Sequence, residues 1–143
     1  MSDPELLVRV QARAEANLYW RYLGVRVVDA KPGWVRLRVP VRDELKNAEG
    51  APVHGGVYSA LVDMAVGGAL STLHDDAAGG VGQTTLDLNV SFIAAATEGA
   101  VFAEGRILKR GRSIAFGEAR ITDAQDRLLA IGRATYMILA ARA

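Results

Sequence analysis

"HGGVYSALVDMAVGGAL", residues 54–70, sets a histidine and two glycines at the head of an apolar run that carries a single acid, Asp63. From 55 to 73 the run reads as a helix without a polar face, since positions 59, 60, 66, 67 and 70 around Asp63 are Ser, Ala, Val, Gly and Leu. A helix that is apolar on all sides is buried on all sides. One small sheet covers only part of its circumference, so the pattern predicts that a second copy of the chain covers the rest, in a homodimer. A carboxylate in such a setting is costly to ionise unless it is hydrogen-bonded, which leaves Asp63 two readings. Either it accepts bonds from a neighbouring backbone or the partner chain, or it serves as a general base or nucleophile. The first N–H groups of a helix have no intrahelical acceptor, and at Gly55 and Gly56 no Cβ blocks an incoming oxygen, so "VHGG" reads as an oxyanion site. An acid together with an oxyanion donor suits acyl transfer, and no G-x-S-x-G offers a serine alternative.

Beyond "DDAAGGVG" (75–82), which reads as a linker, the hydrophobic period changes from helical to two. "TLDLNVSF" sets Leu86, Leu88, Val90 and Phe92 on one face and Thr85, Asp87, Asn89 and Ser91 on the other. Similar runs follow at about 100–109, 113–122 and 127–139, separated by "TEG", "KRGR" and "DAQD", which read as hairpin turns between antiparallel strands. One face is small, with Ala115, Gly117 and Ala119 on one strand and Ala130, Gly132 and Ala134 on the next, as close packing against a helix requires. Upstream, "WVRLRVP" (34–40) alternates as a half-buried strand ended by Pro40, and 42–52 is a polar loop. Residues 4–22 have helical spacing, with Ser2 or Asp3 as cap. Helix, one or two strands, buried helix and four strands make an α+β fold rather than a doubly wound sheet.

Composition narrows the chemistry. The 143 residues fit one domain, 1–143, and half of them are apolar. A net charge of +1 supports neither nucleic acid nor an anionic membrane surface as partner. With no cysteine and two histidines, thiol catalysis is excluded and a metal site is not expected. The N-terminus lacks a signal-peptide pattern and no run is long enough to span a bilayer, so a cytoplasmic protein is the default expectation.

"HGGVYSALVDMA", with the acid nine residues after the histidine, together with "TTLDLNVSFIAAATEG" and "GRSIAFGEARITDAQDRLLAIGRATY", resembles the hotdog-fold acyl-CoA thioesterases of the phenylacetate-pathway type. The resemblance spans residues 24–140 and leaves 1–23 as an extra N-terminal helix. It implies an antiparallel sheet wrapped around one long helix, homodimers joined edge to edge and often tetramers, and active sites at the dimer interface. It implies hydrolysis of an acyl-CoA to the free acid and coenzyme A, without metal or other cofactor. Carried onto this chain, the catalytic acid is Asp63, the oxyanion N–H is that of Gly55, and the histidine on the thioester side is His54. The supporting hydroxyl is Thr85. The loop asparagine is Asn47, here seven residues before His54 rather than six.

Several of these residues also have plain readings. Strict alternation puts Thr85 on a polar face that water could cover, and His54 could simply close the helix start. Arg110 and Arg112 around Gly111 either tip a solvated hairpin or meet the phosphates of coenzyme A. His74, near the helix end, would complement the helix dipole as an imidazolium and has no catalytic part. Two rival functions remain, a non-catalytic acyl-CoA-binding protein of the same fold and a hotdog hydratase or dehydratase. The first has no need of Asp63, and the second needs an acid-base partner that the sequence does not offer.

Overall fold

The computed structural model describes residues 2–74 and 82–139, so most of the segment read as a linker lies outside the described residues. Helix α1 (Pro4–Ala16) starts where chemistry favours it: Pro4 occupies the first turn, and the Asp3 carboxylate accepts from the N–H groups of Glu5 and Leu6 at 3.1 and 3.2 Å. The single helix expected over 4–22 is in fact two. Asn17 is extended (φ −85°, ψ 119°), and its side chain accepts from the N–H groups of Tyr19 and Trp20, so one residue closes α1 and caps α2 (Leu18–Leu23). Apolar spacing runs across the break and conceals it.

Strands β1 (Arg26–Lys31) and β2 (Trp34–Pro40) form a hairpin, with Val35, Leu37 and Val39 fully buried as the alternation predicts. After helix α3 (Gly55–Ser71) come β3 (Gly82–Phe92), β4 (Ala100–Arg110), β5 (Ile114–Asp123) and β6 (Leu128–Leu139). All pairings are antiparallel, in the order β1-β2-β4-β5-β6-β3. The hairpin expected between β3 and β4 does not form. The connection, Ile93–Gly99, is too long for a tight turn and carries the chain to the other side of the sheet. Its polar groups are satisfied on the way: Ala96 C=O accepts from Val53 N–H, Ala96 N–H donates to the Tyr58 hydroxyl, and Gly99 C=O accepts from Val41 N–H. β3 is thereby left on an edge, hydrogen-bonded to β6 alone.

The sheet curls around α3, and the small face is what lets it. A Cβ on Gly117 would lie 2.4 Å from Val66 Cγ1, one on Gly132 2.8 Å from Val62 Cγ1, and one on Gly105 of β4 only 2.1 Å from the Ala65 carbonyl oxygen. The architecture is the expected α+β hotdog, a sheet around one long helix with an N-terminal helical layer. That layer amends one expectation. Twelve of the 17 residues of α3 are buried within a single chain, because Trp20 covers Gly68 and the Arg9 guanidinium donates to the carbonyls of Ser71 and Thr72. The helix therefore does not itself demand a second copy. One apolar surface left uncovered among the described residues is the edge strand β3, where Leu86, Leu88 and Phe92 are exposed.

Candidate active site

Two structures meet at the start of α3. Leu45, Lys46 and Asn47 run antiparallel to Pro52, Val53 and His54, held by His54 N–H to Leu45 C=O at 2.9 Å and Asn47 N–H to Pro52 C=O at 3.0 Å. The loop between them turns at its tip, where Ala51 N–H bonds Ala48 C=O and Gly50 supplies the positive φ (76°) that the third position of a type II turn requires. Asn47 is thereby placed opposite Pro52, two residues ahead of His54, and is exposed.

His54 is the N-cap of α3. Its Nδ1 accepts from Gly56 N–H at 2.7 Å, which fixes the neutral ring as the tautomer with its proton on Nε2. The two glycine N–H groups are therefore not equivalent. Gly56 is engaged by the imidazole, and Gly55 is left as the first N–H of the helix without an intrahelical acceptor. A Cβ at Gly55 would meet the Phe92 ring at 3.2 Å, so the end of β3 lies against this helix start.

Asp63 stands two turns further on, half-buried. Its Oδ1 accepts from Thr85 Oγ1 at 2.7 Å and from the Tyr136 hydroxyl at 2.6 Å, and the phenol oxygen is also 2.7 Å from the Asp63 carbonyl oxygen. Oδ2 has no hydrogen bond to a described residue. Thr85 reaches the acid because β3 is bulged: Thr85 pairs with Tyr136 and Asp87 with Thr135, so Leu86 is the extra residue. The bulge reverses the alternation. Thr85 shares the helix-facing side with Leu88, Val90 and Phe92, not the outer side with Asp87, Asn89 and Ser91, and the polar-face expectation for it fails. Tyr136 is the site residue that the sequence reading missed. A phenol following the small residues Ala130, Gly132 and Ala134 on the buried face of β6 was the signal, since a buried hydroxyl needs a partner. Burial first, and then the hydrogen bond to Asp63, push its pKa well above 10 and keep it protonated.

Asp63 opens on a cleft of about 560 Å³ walled by Val10, Arg13 and Trp20 of the N-terminal helices, Met64 and Gly68 of α3, and Tyr136. His54, Gly55 and Asn47 do not line it. Asp63 is eight residue steps of helix beyond Gly55, about 12 Å of axis. Arg110 and Arg112 are exposed at the β4–β5 turn, and Arg110 falls in one cross-strand row with Ala115, Tyr136 and Thr85, two strands or about 10 Å from Tyr136. His74 lies beyond the end of α3, buried, with Nε2 2.8 Å from Gln83 Oε1. Among the described residues no three His, Asp or Glu side chains gather as metal ligands would, and no helix is long and apolar enough to cross a membrane.

The fold around this site is shared with known proteins. The thioesterase superfamily model matches residues 52–130, a stretch that holds His54, Gly55, Asp63, Thr85 and both arginines. A relative in Halobacterium salinarum, provisionally named an esterase, is 35% identical over 138 residues, covering 90% of this chain and 89% of its own. A provisionally named esterase of Mycobacterium tuberculosis has been solved and superposes with a TM-score of 0.78 at 28% identity, over 87% of this chain and 98% of that one. An X-ray structure of a thioesterase superfamily protein gives 0.83 at 30% identity, over 93% of this chain and 98% of that one. Matched by the family model over more than half of its length and by a relative at 35% identity, the chain belongs to the thioesterase superfamily.

Proposed function

We propose that the protein hydrolyses an acyl-CoA thioester to a carboxylic acid and coenzyme A, with Asp63 as the reacting acid. The observation that carries this reading is the asymmetry of the carboxylate, one oxygen bound by two hydroxyls and the other without a hydrogen bond to a described residue, on a side chain that lines a cleft. Oδ2 either takes a proton from a water whose oxygen attacks the thioester carbon, or attacks that carbon itself to give an anhydride that water then cleaves. In both routes the carbonyl oxygen becomes an oxyanion, the C–S bond breaks, and the thiolate of coenzyme A leaves and is protonated. Gly55 N–H and His54 Nε2–H are the donors for the oxyanion. Coenzyme A is part of the substrate, and these steps call for no metal or redox cofactor. Arg110 and Arg112 are assigned to its phosphates, and Asn47 to the mouth of the oxyanion site.

The 12 Å between Gly55 and Asp63 favours sites built from two chains, because one carbonyl group cannot meet both in the same chain. The edge of β3 supplies the means. Phe92 of β3 lies against Gly55, and Thr85 of β3 lies against Asp63. An antiparallel pairing that sets Phe92 of one β3 opposite Thr85 of another brings the donor of each chain to the acid of the other. This is a homodimer with two sites, which a tetramer would duplicate, and acyl-CoA as substrate goes with a cytoplasmic location. A thiol-trapping assay over a panel of acyl-CoA esters tests the reading. Asp63→Asn should stay folded and lose roughly 10²–10⁴-fold in turnover of the best ester. Near-normal turnover in the folded variant would remove Asp63 from the chemistry.

A further inference from the structure

We infer, building on the reading of Asp63 as the reacting carboxylate, that Tyr136 is a positioning residue: with Thr85 it ties down Oδ1 so that Oδ2 alone faces the substrate, and Gly67 is the gap in α3 that lets the phenol reach it. Tyr136 is 6% exposed and stands on the helix-facing side of β6 beyond a stretch of small residues, Ala115, Gly117 and Ala119 on β5 and Ala130, Gly132 and Ala134 on β6, flanked by Ile121 and Ile138. Phenylalanine would fill the same volume without a hydroxyl to desolvate, so packing alone does not account for a tyrosine. The hydroxyl oxygen stands 2.6 Å from Oδ1. A free carboxylate turns about its last torsion and exchanges its oxygens. Two donors converging on one oxygen stop that rotation.

Gly67 is one turn beyond Asp63, and a Cβ there would lie 2.6 Å from the Tyr136 hydroxyl oxygen, 3.1 Å from Cζ and 3.2 Å from Gln83 Nε2. Any side chain at 67 therefore displaces the phenol from the acid. The same level of the helix is also held from β3. Gln83 donates through Nε2 to the Gly67 carbonyl at 2.8 Å, and its Oε1 is 2.8 Å from Nε2 of the buried His74. The start of β3 is thus anchored two residues before Thr85, just ahead of the bulge that aims the threonine at the acid. Helix gap, anchored strand and phenol converge on one carboxylate oxygen.

The test measures kcat, KM and Tm for wild type, Asp63→Asn, Tyr136→Phe, Gly67→Ala and the Tyr136→Phe/Gly67→Ala double variant. Misplacing a reacting group costs up to about 10²-fold, so Tyr136→Phe should lower kcat by roughly 10–100-fold with KM within about threefold, since the ring still lines the cleft. Gly67→Ala should lower kcat to a similar degree by pushing the phenol aside. In the double variant the closest contact is gone, and kcat should fall no further than in Tyr136→Phe. A merely structural role would instead lower Tm and leave the kcat of the folded protein within about twofold of wild type. That result with Asp63→Asn inactive overturns the positioning role alone, as does a double variant whose loss is the product of the two single losses. Should Tyr136→Phe fail to fold, Gly67→Ala decides, and wild-type kcat in it overturns the role. If Asp63→Asn itself keeps wild-type kcat, the reading of the acid fails and the positioning role falls with it.

Discussion

His54 does two things with one ring, and they can be separated. Nδ1 caps the helix by accepting from Gly56 N–H, while Nε2–H is turned outward as a donor. His54→Ala removes both, so stability should fall by about 1 kcal/mol, the usual value of an N-cap, and turnover should fall as well. Asparagine caps as well as any residue but does not put a donor where Nε2 stands. His54→Asn should therefore keep wild-type stability by thermal or chemical denaturation and still lose turnover of the best acyl-CoA. If His54→Asn restores activity along with stability, the imidazole is a cap only. At this scale the sequence was legible where chemistry is local. An acid on an apolar helix and glycines at a helix start declare themselves from their neighbours. Gly56 was not legible, because which N–H the imidazole takes depends on a rotamer. Tyr136 was legible only as a buried phenol in need of a partner, and that partner is 73 residues away.

Elements were legible where the period is regular. The strands β2 and β5 follow their alternation, β4 and β6 do so apart from single-residue bulges at Leu108 and Leu129, and the small face of β5 and β6 meets α3 as read. The failures come from single residues that break a period without changing its composition. Asn17 splits one apolar helix into two, and the bulge at Leu86 moves Thr85 to the inner face. The crossing of Ile93–Gly99 depends on acceptors and donors from Val53, Tyr58 and Val41 that no local pattern reveals. Gly105 shows how strict the helix-to-sheet contact is, since the atom that a Cβ would strike is backbone and cannot rotate away. Gly105→Ala should cost about 1–3 kcal/mol or more in chemical denaturation, the range for overpacking a core. Gly99 provides the contrast, with open space around it and a positive φ of 78°. Gly99→Ala should suffer only from its backbone conformation, about 1 kcal/mol. Equal stability of Gly105→Ala and wild type would mean that the sheet can retreat from α3.

At the scale of the whole molecule, the apolar helix was a good signal attached to the wrong surface. Its sides are covered mostly from within, by the sheet and by the α1–α2 layer that Trp20 and Arg9 join to it. The case for a second copy rests instead on an exposed edge strand of 11 residues and on the distance between Gly55 and Asp63. Long apolar edges left uncovered invite pairing with another chain. If each site takes Asp63 from one chain and Gly55 from the other, two inactive variants should complement. Gly55→Pro deletes the N–H outright, at a first helical position where proline is tolerated, and Asp63→Asn deletes the acid. In their heterodimer one site carries both lesions and the other carries neither. Unfolding and refolding an equal mixture makes about half of the dimers mixed, so turnover should recover to roughly a quarter of wild type when sites act independently. Each variant alone, refolded in the same way and shown to be dimeric, should stay inactive. Mixed dimers verified by mass and still inactive would mean that donor and acid serve different steps or the same chain, and that the edge of β3 does not assemble the site.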